Sequence, residues 1–280
     1  MSQRSYAVIG DPIEHSLSPV IHNTLYRIYS LDCHYGRLKI SIDQLPAFFK
    51  TEAVNFAGFN VTMPLKQAVL PLLSSIHPDA ILAQSVNTIE MDGLRGYSTD
   101  ADGLKNAVLQ AGHTYRDKSI FIYGAGGVTT ALALSFAKEA RRIRIYNRTA
   151  AKAEEICSKV SAHYAVDIQS IDSSNIEETL SDCDLFFNTT PLGMAGVSAD
   201  FQDLSFLNRL PRHCLVTDLI YNPGETRLLR ESRALGLPVL NGLPMLIHQG
   251  FLSFAIWFGI KPTAQDYAAV LRQMPPEFVL

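Results

Sequence analysis

The sequence predicts an α/β protein with parallel, doubly wound sheets. Short apolar runs alternate with amphipathic helical stretches along almost the whole chain, which is typical of strand–helix–strand units. Apolar residues make up 47% of the 280 residues and charged residues 18%, so the chain can fill substantial cores. At roughly 100–200 residues per domain, this length predicts two domains.

Charge and composition exclude several classes of protein. The formal net charge of −3 gives no electrostatic reason to expect nucleic acid or an anionic membrane as partner. No apolar run reaches the roughly 20 residues of a membrane-spanning helix, and the N-terminus shows no signal-peptide pattern. The cysteines lie far apart in the sequence, which predicts no metal site, no disulfide framework and a cytoplasmic location.

The N-terminal part is predicted to alternate between strands and helices up to residue 112. Strands are predicted over residues 6–10, 35–40 and 56–62. Helices are predicted over residues 18–31, 42–53, 65–75 and 101–112, with Ser18 as N-cap of the first and Pro71 bending the third. Asp92-Gly93 indicates a hairpin within residues 87–100, where the strand–helix alternation is most easily broken.

From residue 118 the alternation becomes more regular. Strands are predicted over residues 118–124, 141–147, 184–190, 214–221 and 237–242. Helices are predicted over residues 127–140 and 150–164, with further short helices between the later strands. Two final helices are predicted over residues 243–259 and 263–274.

A glycine-rich turn joins the strand at 118–124 to the following helix. Its sequence is Gly124-Ala125-Gly126-Gly127-Val128, and Thr129 stands where a third glycine is usual. Glycines there permit a tight turn and let the backbone approach a pyrophosphate, which the unpaired N–H groups of the helix start would bind. The context of a strand and a helix favours a dinucleotide site over a glycine turn without ligand.

The next strand ends where NAD-binding proteins usually carry an acidic residue for the ribose hydroxyl. This chain has Asn147, Arg148 and Thr149 there, followed by Lys152. Cations in place of an acid favour a 2′-phosphate, and therefore NADP. The alternative is a basic helix start that faces solvent.

Three polar clusters lie at strand ends and turns in the N-terminal part. Ser16 and Ser18 flank a helix start, where hydroxyls and the helix dipole could bind a carboxylate, although Ser18 taken alone is better explained as an N-cap. Thr62 ends a strand and Lys66 starts the next helix, where taken alone it is better explained as an ordinary surface lysine. The third cluster combines Asn87-Thr88 with residues 98–103, in which capping explains Asp100 and could explain Asp102.

In this order, the motifs resemble those of the shikimate dehydrogenase family over the whole chain. The N-terminal matches are SxSP at 16–19, FNVTxPxK at 59–66, VNT at 86–88 and TDxxG at 99–103. The later matches are GAGG at 124–127, NRT at 147–149, NTTPLGM at 188–194, DLIYNP at 218–223 and MLxxQG at 245–250. The resemblance implies a substrate domain of residues 1–103 and 243–280 and a Rossmann-type NADP domain of residues 104–242. The C-terminal helices would pack back on the first domain, with the active site in the cleft.

The resemblance also implies roles for individual residues. Lys66 and Asp102 match the catalytic pair. The substrate-binding positions are matched by Ser16, Ser18, Thr62, Asn87, Asp102, Tyr221 and Gln249. The NADP-binding positions are matched by Gly124, Ala125, Gly126, Gly127, Val128, Asn147, Arg148, Thr149, Lys152, Leu219 and Gly242.

Two motifs depart from the family pattern. The glycine loop continues as GVTTA where many members have GAARA, so a side chain that could cover the adenosine phosphates is missing. The hairpin ends in GYSTD where GYNTD is usual. Neither change falls on a position that the resemblance assigns to substrate.

The implied reaction is the NADPH-dependent reduction of 3-dehydroshikimate to shikimate, a step towards chorismate and the aromatic amino acids. Lys66 would donate the proton, and Asp102 would orient the lysine or share its proton. The partners would be this small substrate and NADP, with no metal, in a monomer or homodimer. One alternative is a quinate/shikimate dehydrogenase that also uses NAD, and another is a non-catalytic NADP or metabolite sensor.

Overall fold

The computed structural model describes residues 3–280, which form twelve strands and eleven α-helices. The strands are β1 (Arg4–Gly10), β2 (Cys33–Lys39), β3 (Gly58–Val61), β4 (Ser75–Ile76), β5 (Thr88–Glu90), β6 (Arg95–Tyr97), β7 (Ser119–Tyr123), β8 (Arg142–Tyr146), β9 (Asp167–Ile171), β10 (Leu185–Asn188), β11 (Leu215–Asp218) and β12 (Val239–Leu240). The helices are α1 (Ser18–Ile28), α2 (Leu45–Thr51), α3 (Leu65–Ala68), α4 (Pro78–Ala83), α5 (Asp100–Gln110), α6 (Gly127–Phe136), α7 (Ala150–Ser161), α8 (Ile176–Thr179), α9 (Arg227–Ala234), α10 (Gly242–Phe258) and α11 (Ala264–Leu271).

The chain divides into two compact units, each built on its own six-stranded sheet. Unit 1 comprises Met1–Gly103 and Leu246–Met274, and unit 2 comprises Leu104–Met245 and Pro275–Leu280. The sequence-based division assigned residues 275–280 to the first domain, whereas in the structure this segment lies with unit 2. There, Asn241 Nδ2 donates a hydrogen bond to the carbonyl oxygen of Phe278, at 2.9 Å.

The sheet of unit 1 is mixed, with the order β2-β1-β3-β5-β6-β4. β1 is parallel to β2 and β3, whereas β5 is antiparallel to β3 and β6. The prediction of parallel sheets was therefore wrong for this part of the sheet. The cause is the hairpin that the sequence indicated at Asp92-Gly93, since strands joined by a tight turn must run antiparallel.

This topology brings four connections to one edge of the sheet. The segments after β1 and β3 leave from the carboxyl ends of neighbouring parallel strands. β5 runs in the opposite direction and therefore begins at this edge, and β6 ends there. Four segments therefore lie side by side at this edge, although they are far apart in the sequence: those after β1, β3 and β6, and the start of β5. Their side chains can meet there.

From Leu246 onwards α10 belongs to unit 1, as does α11, and the contacts of these helices with the α1 region and the sheet confirm that part of the predicted fold. Tyr29, directly after α1, donates its hydroxyl to Asp266 of α11 at 2.8 Å. Trp257 of α10 packs against Tyr6 of β1 with tilted rings, at 4.8 Å between ring centroids. The other face of the sheet packs on α2 and α3 through an apolar cluster that includes Phe59.

The sheet of unit 2 is parallel throughout, with the order β12-β11-β10-β7-β8-β9. Numbered within the unit, this is the order 3-2-1-4-5-6 read from β9, which is typical of dinucleotide-binding sheets. The order reverses between β7 and β10, where such sheets bind their ligands. The edge strand β9 was missed in the sequence, because Ile168 is its one buried side chain and its apolar pattern is weak.

His22 lies in the aromatic layer between the sheet of unit 1 and α10. Its ring is fully buried and stacks on Tyr35, with 4.3 Å between centroids. Within residues 3–280, neither ring nitrogen has a hydrogen-bond partner. Burial lowers the pKa of His22 from 6.5 to about 3, because a charged imidazolium would lose its hydration there.

This histidine should make the fold sensitive to acid. Between pH 6.5 and 3 the unfolded chain binds a proton at His22 that the folded chain excludes, so stability falls as pH falls through this window. Between pH 6.5 and pH 4, the unfolding free energy of wild type should fall by about 3 kcal/mol more than that of the His22→Phe variant. Urea unfolding at a series of pH values measures this. The exposed His34→Phe is the control, and parallel stability curves for His22→Phe and wild type would contradict the expectation.

Candidate active site

An ion pair between Lys66 and Asp100 lies at the edge of the unit 1 sheet where the four connections meet. Lys66 Nζ is 2.6 Å from Asp100 Oδ2. The Lys66 side chain is 24% exposed and that of Asp100 is 7% exposed, so the carboxylate is buried while the ammonium can be reached from solvent. Such an arrangement can hold an ammonium in place for a proton transfer.

The second carboxylate oxygen of Asp100 is also bound. Asn87 Nδ2 donates to Asp100 Oδ1 at 3.0 Å and lies 3.2 Å from Gln249 Oε1. Gln249 in turn donates its own Nε2 to the carbonyl oxygen of Leu246 within α10, at 2.8 Å. The structure therefore brings together Lys66, Asn87 and Gln249, as the sequence predicted, but around a carboxylate that the sequence analysis had assigned to capping.

The predicted partner of Lys66 was Asp102, and this pairing does not occur in the structure. Asp102 lies two residues further along α5, which rotates its side chain by about 200° around the helix axis, and it is exposed. Asp100 was explained as a helix cap, and it does occupy the first position of α5. The signal for Asp100 was present in the motif, because the Thr-Asp pair shared by GYSTD and GYNTD falls on Thr99-Asp100.

Ser16 and Ser18 are in contact at the start of α1. Their hydroxyl oxygens are 3.3 Å apart, and the backbone N–H of Ser18 donates to Ser16 Oγ at 3.3 Å. Ser18 is not the N-cap, as the sequence had suggested, because Leu17 occupies that position and makes no side-chain cap. Arg37 donates two hydrogen bonds to the Ser16 carbonyl oxygen, at 2.8 and 2.7 Å, and thereby fixes the segment that carries the two hydroxyls.

Thr62 directly follows β3, and its side chain is half-buried. Its backbone N–H donates to the Ile9 carbonyl oxygen at 2.9 Å, which continues the pairing between β1 and β3. The residue therefore lies at the same edge of the sheet as Lys66.

The glycine turn of unit 2 has the backbone geometry that a pyrophosphate requires. Gly124 has a φ of +117°, and a Cβ there would meet Thr189 Oγ1 at 2.5 Å. A Cβ on Gly127 would meet nothing within 4 Å, so open space lies at the start of α6. The N-cap of this helix is Gly126, without a side-chain cap, and α6 therefore presents free N–H groups to that space. These residues fit a bound dinucleotide.

The predicted 2′-phosphate residues follow β8 directly. Asn147 Oδ1 accepts a hydrogen bond from the backbone N–H of Ala125 at 3.1 Å, which ties this segment to the glycine turn. Arg148, Thr149 and Lys152 are exposed at the start of α7. In the part of the chain that the structure describes, neither Arg148 nor Lys152 is paired with a carboxylate.

Leu219 and Gly242 are brought together after β11 and β12. The backbone N–H of Gly242 donates to the Ile220 carbonyl oxygen at 2.9 Å, and a Cβ at Gly242 would collide with the Leu219 carbonyl oxygen. This position therefore requires glycine. Tyr221 is half-buried and contacts Phe278 edge to face, at 6.2 Å between centroids, within unit 2.

Asp218 is a buried carboxylate that the sequence analysis did not single out. Asn188 donates to its Oδ1 at 3.0 Å and Thr226 to its Oδ2 at 2.7 Å, which ties the ends of β10 and β11 together. Burial raises its pKa to about 6, against these hydrogen bonds, which lower it. It fixes the strand ends on one side of the point where the sheet order reverses.

Within residues 3–280, no helix combines the length and apolar character needed to cross a membrane. The same residues contain no group of three or more His, Cys, Asp or Glu side chains placed to hold a metal ion.

Family models match most of the chain in three consecutive segments. Residues 8–89 match the shikimate dehydrogenase substrate binding domain, and residues 106–196 match shikimate / quinate 5-dehydrogenase. Residues 242–271 match the shikimate 5′-dehydrogenase C-terminal domain.

Individual relatives are similar over nearly their whole length. The shikimate dehydrogenase (NADP(+)) of Methanocella arvoryzae is 37% identical, over 92% of this chain and 94% of the relative. That of Staphylococcus epidermidis is 35% identical, over 98% of both chains.

Solved structures share the fold. Shikimate 5-dehydrogenase from Thermus thermophilus, in complex with NADP(H) and shikimate, has a TM-score of 0.84 at 30% identity, over 97% of this chain and all of the other. Quinate dehydrogenase from Corynebacterium glutamicum, in complex with NAD, has a TM-score of 0.83 at 26% identity, over 96% and 99% of the two chains. With this coverage by family models and relatives, the chain belongs to the shikimate dehydrogenase family.

Proposed function

We propose that this protein is an NADP-dependent shikimate dehydrogenase, which interconverts 3-dehydroshikimate and shikimate. The observation that carries the proposal is the Lys66–Asp100 ion pair, joined by Asn87 and Gln249 at one edge of the unit 1 sheet. The names of the relatives, which describe NADP-dependent shikimate dehydrogenases, support it.

Unit 1 is proposed to bind the substrate. The hydroxyls of Ser16 and Ser18 lie at the N-terminus of the eleven-residue helix α1, where the helix dipole favours a carboxylate. Thr62, Asn87 and Gln249 would bind the ring hydroxyls through their side chains. All five residues are held by unit 1 itself.

Lys66 is proposed as the proton donor in the direction of reduction. Its ammonium would polarise the carbonyl oxygen of the substrate and protonate the forming alkoxide, and the neutral amine would take the proton back in oxidation. Asp100 would hold the ammonium in one orientation through the 2.6 Å hydrogen bond. Asp102 is not part of the proposed catalytic pair, because its side chain is exposed and Lys66 is bound to Asp100.

Unit 2 is proposed to bind NADP, which supplies the hydride when bound. The N–H groups at the start of α6 would bind the pyrophosphate, with Gly124, Gly126 and Gly127 leaving the necessary space. Arg148, Thr149 and Lys152 would bind the 2′-phosphate. Leu219 and Gly242 would lie beside the nicotinamide, and Tyr221 is proposed as a substrate-binding residue supplied by unit 2.

The reaction is proposed to take place in the cytoplasm. All four cysteines are free and buried, which is compatible with a reducing compartment.

The function can be tested by spectrophotometric assay of the purified protein. Shikimate and quinate should each be supplied with NADP and with NAD. We expect the highest kcat/KM for shikimate with NADP. A higher kcat/KM for quinate with NAD would favour the quinate/shikimate dehydrogenase alternative, and no turnover of either substrate would refute both.

Removing the proposed proton donor should affect turnover more than binding. Lys66→Ala is expected to lower kcat by about 10²–10⁴-fold, the usual range for a general acid–base group. The KM for shikimate should change less, because the serines, Asn87 and Gln249 remain. A variant with unchanged kcat and a raised KM would make Lys66 a binding residue only.

The two neighbouring aspartates provide a matched test of the corrected pair. Asp100→Asn should lower kcat at least about tenfold, because the amide cannot hold the lysine ammonium as an ion pair. Asp102→Asn removes the same charge from the exposed side of α5 and should change kcat less than about twofold. Steady-state kinetics at one pH suffice, and the reverse order of effects would restore Asp102 as the partner.

The choice of cofactor should depend on Arg148. Arg148→Ala is expected to raise the KM for NADP at least about tenfold, because a charge-assisted hydrogen bond to phosphate is lost. The KM for NAD, which has no 2′-phosphate, should change little. Lys159→Ala removes one positive charge at the other end of α7 and is the control for net charge. Equal effects of Arg148→Ala on both cofactors would refute the assignment.

A further inference from the structure

A closed ring of polar contacts at hydrogen-bond distance lies directly behind the Lys66–Asp100 pair in unit 1, and its three hydroxyl protons can fill three of the five contacts at a time. It comprises the side chains of Asn87, Thr88, Thr99 and Ser253 and the carbonyl oxygen of Gln249, and we call it the hydroxyl ring. Asn87 Oδ1 is 3.1 Å from Thr88 Oγ1, which is 2.7 Å from Ser253 Oγ. Ser253 Oγ is 3.0 Å from the Gln249 carbonyl oxygen. Thr99 Oγ1 closes the ring, at 3.1 Å from that carbonyl oxygen and 3.2 Å from Asn87 Oδ1. All four side chains are at most 4% exposed.

The Thr99 backbone N–H and the Asp100 carboxylate determine which way the Asn87 amide faces, and the ring hydroxyls donate to the oxygen on that side. Three of the ring members are hydroxyls that donate one proton each, whereas Asn87 Oδ1 and the Gln249 carbonyl can only accept. Asn87 Oδ1 also accepts the backbone N–H of Thr99 at 2.8 Å. If the amide were flipped, its NH₂ group would face the Thr99 N–H, and two donors would meet. Nδ2 must therefore face Asp100 and Gln249 Oε1.

A second amide fixes the ring from the opposite side. Asn60 Nδ2 donates to Ser253 at 2.8 Å and lies 3.2 Å from Thr88 Oγ1. The Asn60 amide is itself oriented, because Tyr35 donates its hydroxyl to Asn60 Oδ1 at 2.7 Å. A chain of oriented groups therefore runs from Tyr35 through the ring to the carboxylate of Asp100.

We propose that Thr88 and Ser253 are positioning residues for the reaction. Among the hydrogen bonds of residues 3–280, neither hydroxyl is bonded to Lys66 or Asp100. Each acts through the Asn87 amide, which holds Asp100 Oδ1 while Asp100 Oδ2 holds the lysine. The inference rests on the proposed function, because it assigns the two hydroxyls to the proton transfer at Lys66.

Thr88 offers two substitutions that separate positioning from packing. Thr88→Val keeps the shape of the side chain and removes the hydroxyl, whereas Thr88→Ser keeps the hydroxyl and removes a methyl group. We expect Thr88→Val to lower kcat about tenfold, because Asn87 Oδ1 loses one of its donors and is then held by Thr99 alone. Thr88→Ser should stay within about threefold of wild type in kcat even where its melting temperature is lower. A purely structural role predicts that kcat does not depend on the hydroxyl in the folded variants.

Unit 2 supplies matched controls. Thr217 is 1% exposed, and within residues 3–280 its hydroxyl has no hydrogen-bond partner, so Thr217→Val removes an unbonded hydroxyl from an equally buried site. Ser232 donates to the carbonyl oxygen four residues earlier in α9, at 2.8 Å, as Ser253 does in α10 at 3.0 Å. Ser253→Ala should lower kcat several-fold and Ser232→Ala should leave it unchanged.

A measurement without substrate keeps the inference independent of the assay. In protein labelled with ¹⁵N at asparagine, the side-chain N–H signals of Asn87 should be protected from hydrogen exchange in wild type and Thr88→Ser, and lose protection in Thr88→Val. Wild type inactive towards shikimate with NADP would refute the proposed function, while these signals would still test the ring. Wild-type kcat and unchanged Asn87 protection in folded Thr88→Val would overturn the inference.

Discussion

The burial of one carboxylate is the constraint on which the site depends. The Asp100 side chain is 7% exposed, and a charge taken out of water at that depth needs partners on both oxygens. Lys66 binds one oxygen and Asn87 the other. The lysine is thereby held at the sheet edge by a group that solvent hardly reaches, and Asn87 must keep one orientation for as long as the carboxylate is ionised.

The fold meets this constraint by bringing distant segments to one edge of a mixed sheet. The hairpin of β5 and β6 places Asn87 and Asp100 beside the connection that follows β3, where Lys66 lies. The helix α10 adds Gln249 from the far end of the chain. A sheet that was parallel throughout would place the start of β5 at the opposite edge, so the one break in the strand–helix alternation is what assembles the site.

The sequence predicted the regular elements and turns of this molecule better than its individual side-chain contacts. The glycine turn follows from a local pattern, the return of the C-terminal helices was implied by the family resemblance, and the structure has both. The aspartate that pairs with Lys66 could not be separated from its neighbour by spacing alone, because Asp100 and Asp102 both open the same helix. Their difference is one of rotation around α5, which only the packed structure decides. Ser18 was misassigned as an N-cap for a related reason, since the cap depends on backbone angles at Leu17.

The central claim is that Lys66 and Asp100 act as one unit, and a double-mutant cycle on kcat tests it most directly. The account predicts that Lys66→Met combined with Asp100→Asn is hardly slower than Lys66→Met alone, because the carboxylate acts through the lysine. The cycle of Lys66→Met with Asp102→Asn should be additive, since Asp102 lies exposed on another side of α5. Additive effects for Lys66 and Asp100, or strong coupling of Lys66 with Asp102, would contradict the account.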